Sequence, residues 1–160
     1  MGNGDDIVIS VEPPDAPESR RLLERFEAEK REREDDFDEA GAIRLAPEEL
    51  MPPTGAFLVA RYRGRAVGCG GVRRLGPDLG ELRRLYVAPE ARSLGVGRWL
   101  FEAMEEAARR IGYRTVRLDT HPALTEARQM FEELGYREIP AYNDNPNAGA
   151  WYEMELESGD

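Results

Sequence analysis

A glycine-rich turn that opens a helix is the stretch of this sequence best suited to ligand chemistry. Gly95 and Gly97 flank a single valine, and Arg92 comes three positions earlier in Arg-Ser-Leu-Gly-Val-Gly-Arg. The turn follows a strand-like run, residues 81–87, and leads into an amphipathic segment. The first N–H groups of a helix have no partner within it, and the helix dipole adds positive potential there. The turn is therefore predicted to bind a phosphate or pyrophosphate group.

Two common phosphate motifs fit this turn poorly. A P-loop requires a Gly-Lys pair, and the sequence contains none. A dinucleotide fingerprint requires three glycines directly after a strand, with an acidic residue farther on. Asp119 suits the acidic position, but Leu100 replaces the third glycine and residues 88–94 separate the strand from the turn. A nucleotide-dependent oxidoreductase is therefore the less favoured alternative.

The composition argues against several classes of function. The formal net charge is −10 and 41% of the 160 residues are apolar, which predicts a real core and no basic face for nucleic acid. No apolar run approaches the length of about 20 residues that a membrane span needs. Cys69 and His121 are the only cysteine and histidine, so we expect neither a disulfide nor a metal site. With no signal-peptide pattern, a soluble cytoplasmic protein is expected.

The elements that must hold the turn follow from hydrophobic periodicity. Helical spacing of apolar residues predicts a helix over 95–111, ended by Gly112. Asp15-Ala-Pro-Glu18 is typical of a capping box that begins a helix running to about Arg33. The other predicted elements are strands at 7–11, 56–61, 66–75, 79–87, 115–119, 137–139 and 150–156, a helical turn at 47–51 and a helix at 125–134. This order predicts an α/β (α+β) fold: one mixed, mostly antiparallel central sheet of about seven strands, flanked by helices on both faces.

The segment from Glu81 to Tyr136 resembles the GNAT superfamily of acyl-CoA N-acyltransferases. That family's signature, Gln/Arg-x-x-Gly-x-Gly/Ala, is matched by Arg92, Gly95 and Gly97. Its context agrees as well: a strand ending in Val-Ala-Pro, the loop, a helix, a strand, and a helix followed by Leu-Gly-Tyr136. The element order extends the resemblance over about residues 5–157, so a single N-acetyltransferase domain is expected over 1–160.

The resemblance implies that the cofactor is acetyl-CoA and indicates which residues bind it. In the family, backbone amides of the loop bind the CoA pyrophosphate, and the preceding strand pairs its backbone with the pantetheine arm. The implied cofactor-binding residues are Leu85, Tyr86 and Val87 on the strand, and Arg92, Ser93, Leu94, Gly95, Val96, Gly97 and Arg98 in the loop. From its type alone, Tyr86 suits a core aromatic as well as a ligand contact.

Acyl transfer to an amine needs a base, because a protonated amine has no lone pair to attack a thioester carbonyl. Glu81 stands where many family members carry the base glutamate, so we predict that Glu81 is the general base. The alternative is an ordinary strand carboxylate paired with Arg83 or Arg117. Backbone N–H groups can polarise the carbonyl oxygen.

The thiolate leaving group needs a proton, and here the sequence departs from the family. Many members carry a tyrosine as the general acid where this chain has Phe131, which cannot donate a proton. Many also carry an asparagine that contacts CoA where this chain has Leu124. We predict that Tyr142 supplies the acid, with Tyr136 or water as the alternatives.

The implied reaction is transfer of an acetyl group from acetyl-CoA directly to a primary amine, most simply of a small molecule. The family's acceptor site maps to residues 20–45 and 140–152, where carboxylates would attract a cationic amine; these are Asp35, Asp36, Asp38, Glu39 and Asp144. The alternatives are an acetyltransferase of a protein amine and a non-catalytic CoA-binding or interaction domain. The expected partner is an amine substrate rather than nucleic acid or a membrane, and a homodimer is the candidate assembly.

Overall fold

The computed structural model describes residues 6–34, 36–122 and 124–156. Within these ranges seven strands form one mixed sheet in the order β1-β2-β3-β4-β5-β7-β6, and three α-helices pack on it. The strands are β1 Ile7–Val11, β2 Ala56–Tyr62, β3 Arg65–Gly76, β4 Leu79–Val87, β5 Thr115–Thr120, β6 Arg137–Ile139 and β7 Ala150–Glu155. The helices are α1 Pro17–Arg33, α2 Val96–Ile111 and α3 Thr125–Glu133, with 3-10 turns at Pro47–Leu50 and Pro89–Leu94. The predicted architecture is confirmed.

The two faces of the sheet bury separate apolar clusters, because side chains of a strand alternate between faces. On β2, Phe57 and Val59 pack with Leu22 of α1. The alternate residues of β2 pack with α2, which buries Leu100 and Phe101. Each such large apolar side chain contributes about 1.5–3 kcal/mol of burial free energy. Helix α1 therefore covers one face and α2 the other.

The predicted capping box at Asp15 is wrong. Helix α1 begins at Pro17, which makes Ala16 the N-cap and leaves Asp15 outside the helix. Proline favours the first helical position, because that N–H has no partner in a helix and the ring fixes a helical φ. At the other helices and strands, the predicted and observed first and last residues differ by no more than one position. No helix of the described residues is long and apolar enough to cross a membrane.

The sheet splits between its two parallel strands. β4 and β5 pair only where Leu79–Glu81 face Thr115–Arg117, and Glu81 is the last residue of β4 that pairs with β5. Beyond Glu81, β4 continues to Val87 while its edge toward β5 has no strand partner among the described residues. A β-bulge interrupts the other edge of β4, where Arg84 adopts φ 63°. The free edge leaves backbone N–H and C=O groups available to a ligand.

Candidate functional site

Two cavities follow the split. The larger, of about 610 Å³, is lined by the outer part of β4 together with α1, the glycine-rich turn and α3. The smaller, of about 140 Å³, lies between residues 82–85 of β4 and residues 118–121 at the end of β5. The divergence of the strands thus forms a continuous cleft with a large outer and a small inner compartment.

The larger cavity brings together most of the predicted cofactor-binding residues. Seven of the ten line it: Leu85, Tyr86, Val87, Arg92, Gly95, Gly97 and Arg98. Of the other three, Val96 is buried in the core, Leu94 packs against the core, and the Ser93 side chain is exposed to solvent. Tyr86 is only 5% exposed yet lines the cavity, so it serves both as a core aromatic and as a cavity wall.

The glycine-rich turn is shaped for an anionic group. Gly95 adopts φ 78°, where a side chain would be strained, and it links the 3-10 turn to α2. No side chain caps the first N–H groups of α2. At Gly97 a Cβ atom would meet only Cγ2 of Val87, at an ordinary 3.6 Å, so protein packing does not require this glycine. Its missing side chain instead leaves room for phosphate oxygens to approach the helix N-terminus.

Both arginines of the turn are held by carboxylates from the neighbouring helices. Arg92 donates to the carbonyl of Val87 at 2.9 Å and to both carboxylate oxygens of Glu29 on α1. Arg98 donates to Glu133 of α3 at 2.8 Å. These pairs are partly exposed to solvent and therefore contribute little to stability. They keep two guanidinium groups at the rim of the cavity, where a bound pyrophosphate would compete with Glu29 and Glu133.

Glu81 lies at the vertex of the split, which is the point where β4 and β5 stop pairing, and its side chain is completely buried. Its Oε1 accepts a hydrogen bond from Nε of Arg73 at 2.7 Å. Its Oε2 accepts one from the hydroxyl of Tyr142 at 2.6 Å and one from Nη1 of Arg83 at 3.4 Å. The two residues predicted to be catalytic are therefore in direct contact. Of the two arginines suggested as structural partners, Arg83 contacts Glu81.

Arg117, the other suggested partner of Glu81, pairs with a different carboxylate. Its Nε donates to Glu153 at 2.8 Å, and its guanidinium lies 5.5 Å from the centre of the Tyr142 ring. Burial raises the pKa of the Tyr142 phenol, and the neighbouring Glu81 carboxylate raises it further. The phenol therefore stays neutral and donates a hydrogen bond to Glu81, since a tyrosinate beside that carboxylate would place two like charges together.

The vertex continues into a polar network that the sequence did not indicate. Arg83 also donates to Asp119 at 3.0 Å, and Asp119 accepts from the side-chain amide of Asn143 at 2.8 Å. The indole N–H of Trp151 in turn donates to Asn143 at 2.9 Å. The alternation of polar residues at 81 and 83 on one strand was the available signal, but only the sheet register shows which residues meet.

The positions where the chain departs from the family are apolar walls. Phe131 is 5% exposed, lies 5.2 Å from the ring of Phe101, and lines the smaller cavity. Leu124 lines both cavities. The hydroxyl of Tyr136, the alternative acid, donates to Glu105 of α2 at 2.6 Å, and neither Tyr136 nor Tyr142 is among the lining residues of the two cavities. Of the two candidate tyrosines, only Tyr142 lies beside Glu81.

The carboxylates of the smaller cavity are not those predicted. Its acidic lining residues are Glu27, Glu34 and Asp119. The predicted set is absent from that lining: Asp36, Asp38, Glu39 and Asp144 have no place in it, and Asp35 is outside the described residues. The two predicted segments nevertheless meet, because Asn147 bonds both the N–H and the C=O of Asp38.

Cys69 is inert in this fold. It has no exposed surface, and burial raises the pKa of its thiol to about 12, so a reactive thiolate is not available. The described residues hold no group of three or more His, Cys, Asp or Glu side chains arranged to bind a metal ion.

Comparisons with known proteins agree with this geometry. The acetyltransferase (GNAT) family profile matches residues 18–136. An uncharacterized N-acetyltransferase of Schizosaccharomyces pombe is 37% identical over 108 residues, 66% of each chain. The N-alpha-acetyltransferase RimI of Mycobacterium tuberculosis is 34% identical over 70% of this chain and 72% of its own. The IAA acetyltransferase of Azospirillum brasilense is 40% identical over 44% of this chain and 47% of its own. The chain spans about half to two thirds of the length of the first relatives it matches.

Solved structures share the fold. A GNAT-family acetyltransferase of Staphylococcus aureus aligns with a TM-score of 0.76 over 94% of this chain and 99% of its own, at 18% identity. A GNAT-family acetyltransferase of Elizabethkingia anophelis, solved with acetyl-CoA bound, aligns with a TM-score of 0.68 over 95% and 99%, at 17% identity. The family profile covers most of the sequence, including the glycine-rich turn and the split strands. The chain therefore belongs to the acetyltransferase (GNAT) family.

Proposed function

We propose that this protein is an N-acetyltransferase that moves an acetyl group from acetyl-CoA directly to the primary amine of a small molecule. The observation that carries the proposal is the cleft itself. Its outer compartment includes the glycine-rich turn at a helix N-terminus. Its inner compartment is lined by Arg83, which contacts the buried Glu81 of the carboxylate–tyrosine pair. A long phosphorylated donor suits the outer side, and a small acceptor suits the inner one.

The residues of the larger cavity suit CoA. Backbone N–H groups of Gly95 to Arg98 receive the pyrophosphate at the N-terminus of α2, assisted by the guanidinium groups of Arg92 and Arg98. The free edge of β4 at Leu85–Val87 offers backbone groups to the amides of the pantetheine arm. When bound, acetyl-CoA supplies the acetyl group as a thioester. N–H groups on the same edge are donors suited to the thioester oxygen.

Glu81 and Tyr142 form the proton path. Tyr142 accepts a proton from the amine on its hydroxyl oxygen while its own proton passes to Oε2 of Glu81 across the 2.6 Å hydrogen bond. The phenol is neutral before and after this transfer, which suits a tyrosine whose pKa is raised. Reversal of the path makes Tyr142 the proton donor to the leaving sulfur. This pair thus takes the role of the general-acid tyrosine that many family members carry at the position of Phe131.

The size of the smaller cavity favours a small acceptor. At about 140 Å³ it matches the cavities of roughly 150 Å³ that hold a benzene molecule. The resemblance to RimI favours the second candidate, an acetyltransferase of a protein N-terminus, whose terminal residue would enter the same space.

A paired screen tests both candidates. The protein is incubated with acetyl-CoA and either small primary amines or peptides, and release of free thiol is followed. Turnover of a small amine supports the proposal, whereas turnover of peptides alone supports the second candidate. Calorimetry with acetyl-CoA is the control: no binding by the folded protein would overturn both.

A further inference from the structure

Among the described residues, one oxygen of the Glu34 carboxylate is buried at the cleft without a hydrogen-bond donor. Glu34 is only 2% exposed, and its Oε1 is the single buried side-chain nitrogen or oxygen of the described residues that has no hydrogen-bond partner. Buried polar atoms are almost always paired, so such an atom requires an explanation.

Cationic groups lie near this carboxylate, but none of the described residues donates a hydrogen bond to its Oε1. Burial raises the pKa of Glu34, and its position at the C-terminal end of α1 places it at the negative end of the helix dipole. Nε2 of His121 lies 4.0 Å from Oε1 but is 2.7 Å from Asp36. Lys30, one turn earlier, holds its ammonium group 5.0 Å from the ring centres of both Phe26 and Phe37.

Glu34 also stands where the two cavities meet. Six residues line both cavities: Phe26, Lys30, Glu34, Leu85, Leu124 and Ala127. Four of these residues are apolar, and the other two, Lys30 and Glu34, are charged. A ligand that passes from the smaller cavity toward the larger therefore meets an apolar passage with a carboxylate oxygen that lacks a donor.

We propose that Glu34 binds the acceptor as an alkylammonium ion, whose N–H group supplies the missing donor to Oε1. This inference rests on the proposed acetyltransferase function and specifies its substrate class. The acceptor is a small amine that is cationic at neutral pH, and not an arylamine that is neutral there. Glu34 is thus the residue that determines specificity, while Glu81 and Tyr142 move the proton.

Two probes of similar size separate the charge from the shape of the acceptor. Cyclohexylamine is protonated at neutral pH and aniline is not, and both suit the volume of the smaller cavity. Binding of each to the protein is measured by calorimetry, and acetylation is measured by thiol release. For wild type we expect cyclohexylammonium to bind more tightly than aniline; equal binding of the two would overturn the inference.

Glu34→Gln keeps the size of the side chain and removes its charge. We expect it to raise both the Kd and the KM for cyclohexylamine about tenfold or more, with acetyl-CoA affinity unchanged, because a hydrogen bond to a charged group is lost. Glu27→Gln is the matched control: it removes the same charge from the same cavity, but Glu27 is already paired with Arg84 at 3.0 Å. An equal loss in the two variants, or no loss in Glu34→Gln, would overturn the proposal.

The binding measurement also separates this inference from the proposed function. If wild type binds cyclohexylammonium through Glu34 but no amine is acetylated, the acetyltransferase proposal fails while the amine site stands. If aniline is acetylated as well as cyclohexylamine by both wild type and Glu34→Gln, the transferase proposal stands and the assignment of Glu34 fails.

Discussion

Replacing Tyr142 by Phe removes a single hydroxyl group from the vertex of the split. That hydroxyl donates to Oε2 of Glu81 at 2.6 Å. Without it, the same oxygen keeps only Arg83, at a long 3.4 Å, and Arg83 is shared with Asp119 at 3.0 Å. The substitution therefore leaves one oxygen of a completely buried carboxylate poorly satisfied, and it also interrupts the proposed proton path.

Both effects have expected magnitudes. Hydrogen bonds to charged groups contribute about 1.5–3 kcal/mol, so Tyr142→Phe should lower the free energy of unfolding by that amount. In a domain of this size, the melting temperature should fall by about 3–12 °C. Loss of a positioned acid–base group lowers kcat by about 10²-fold or more. The KM for acetyl-CoA should change little, because Tyr142 does not line the larger cavity.

Tyr136→Phe is the matched control. Tyr136 also donates to a carboxylate at 2.6 Å, but that carboxylate is Glu105 of α2 and not Glu81. Urea denaturation should show a similar loss of stability in the two variants, while kcat, measured below both unfolding transitions, should fall only in Tyr142→Phe. A wild-type kcat in Tyr142→Phe would refute the proton path. An equal fall in both variants would show that the loss of activity comes from destabilisation.

Four further predictions follow from the same geometry. Gly97→Ala should raise the free energy of unfolding by about 0.5–1 kcal/mol yet weaken acetyl-CoA binding in calorimetry, because its Cβ fits the protein but occupies phosphate space. Arg73→Met should lower the free energy of unfolding by about 3–5 kcal/mol in urea, since it strips a buried carboxylate of its partner at 2.7 Å. Glu34→Gln should stabilise the fold at about pH 8 but not at about pH 4: a raised carboxyl pKa means that ionisation disfavours the folded state, and this penalty appears only above the unfolded pKa. Cys69 should react with iodoacetamide only after unfolding, as mass spectrometry would detect.

Local patterns were sufficient to predict the elements that form the larger cavity. The glycine-rich turn and the apolar periodicity of α2 are short-range features, and each has one main structural solution. Gly95 adopts the left-handed conformation that permits the sharp entry to α2, and Gly112 adopts φ 116° after its last residue. The turn between β2 and β3 is a short-range feature of the same kind, since Arg63 and Gly64 both have positive φ there.

The arrangement around Glu81 and Glu34 depends on contacts between distant segments, so local sequence patterns could not predict it. Arg73, Glu81 and Tyr142 come from two strands and a loop, and only the register of β3 against β4 brings the first two opposite each other. Glu34 lies in a densely charged stretch of sequence, where the residue types alone favour exposure to solvent. The helix ends at Arg33 as predicted, but packing buries the carboxylate that follows it.

The contrast between two buried carboxylates is the strongest argument about how this cleft is used. Glu81 is fixed by Arg73, Arg83 and Tyr142, so its charge is balanced by the protein itself and its position is set by the vertex of the sheet. Glu34 is as well hidden from water but keeps an oxygen that no described protein group satisfies. A carboxylate with fixed partners suits proton transfer at a defined point, whereas one that lacks a donor suits the binding of a group that arrives with a proton to share. An alkylammonium acceptor would therefore meet Glu34 before it reaches the proton path that begins at Tyr142.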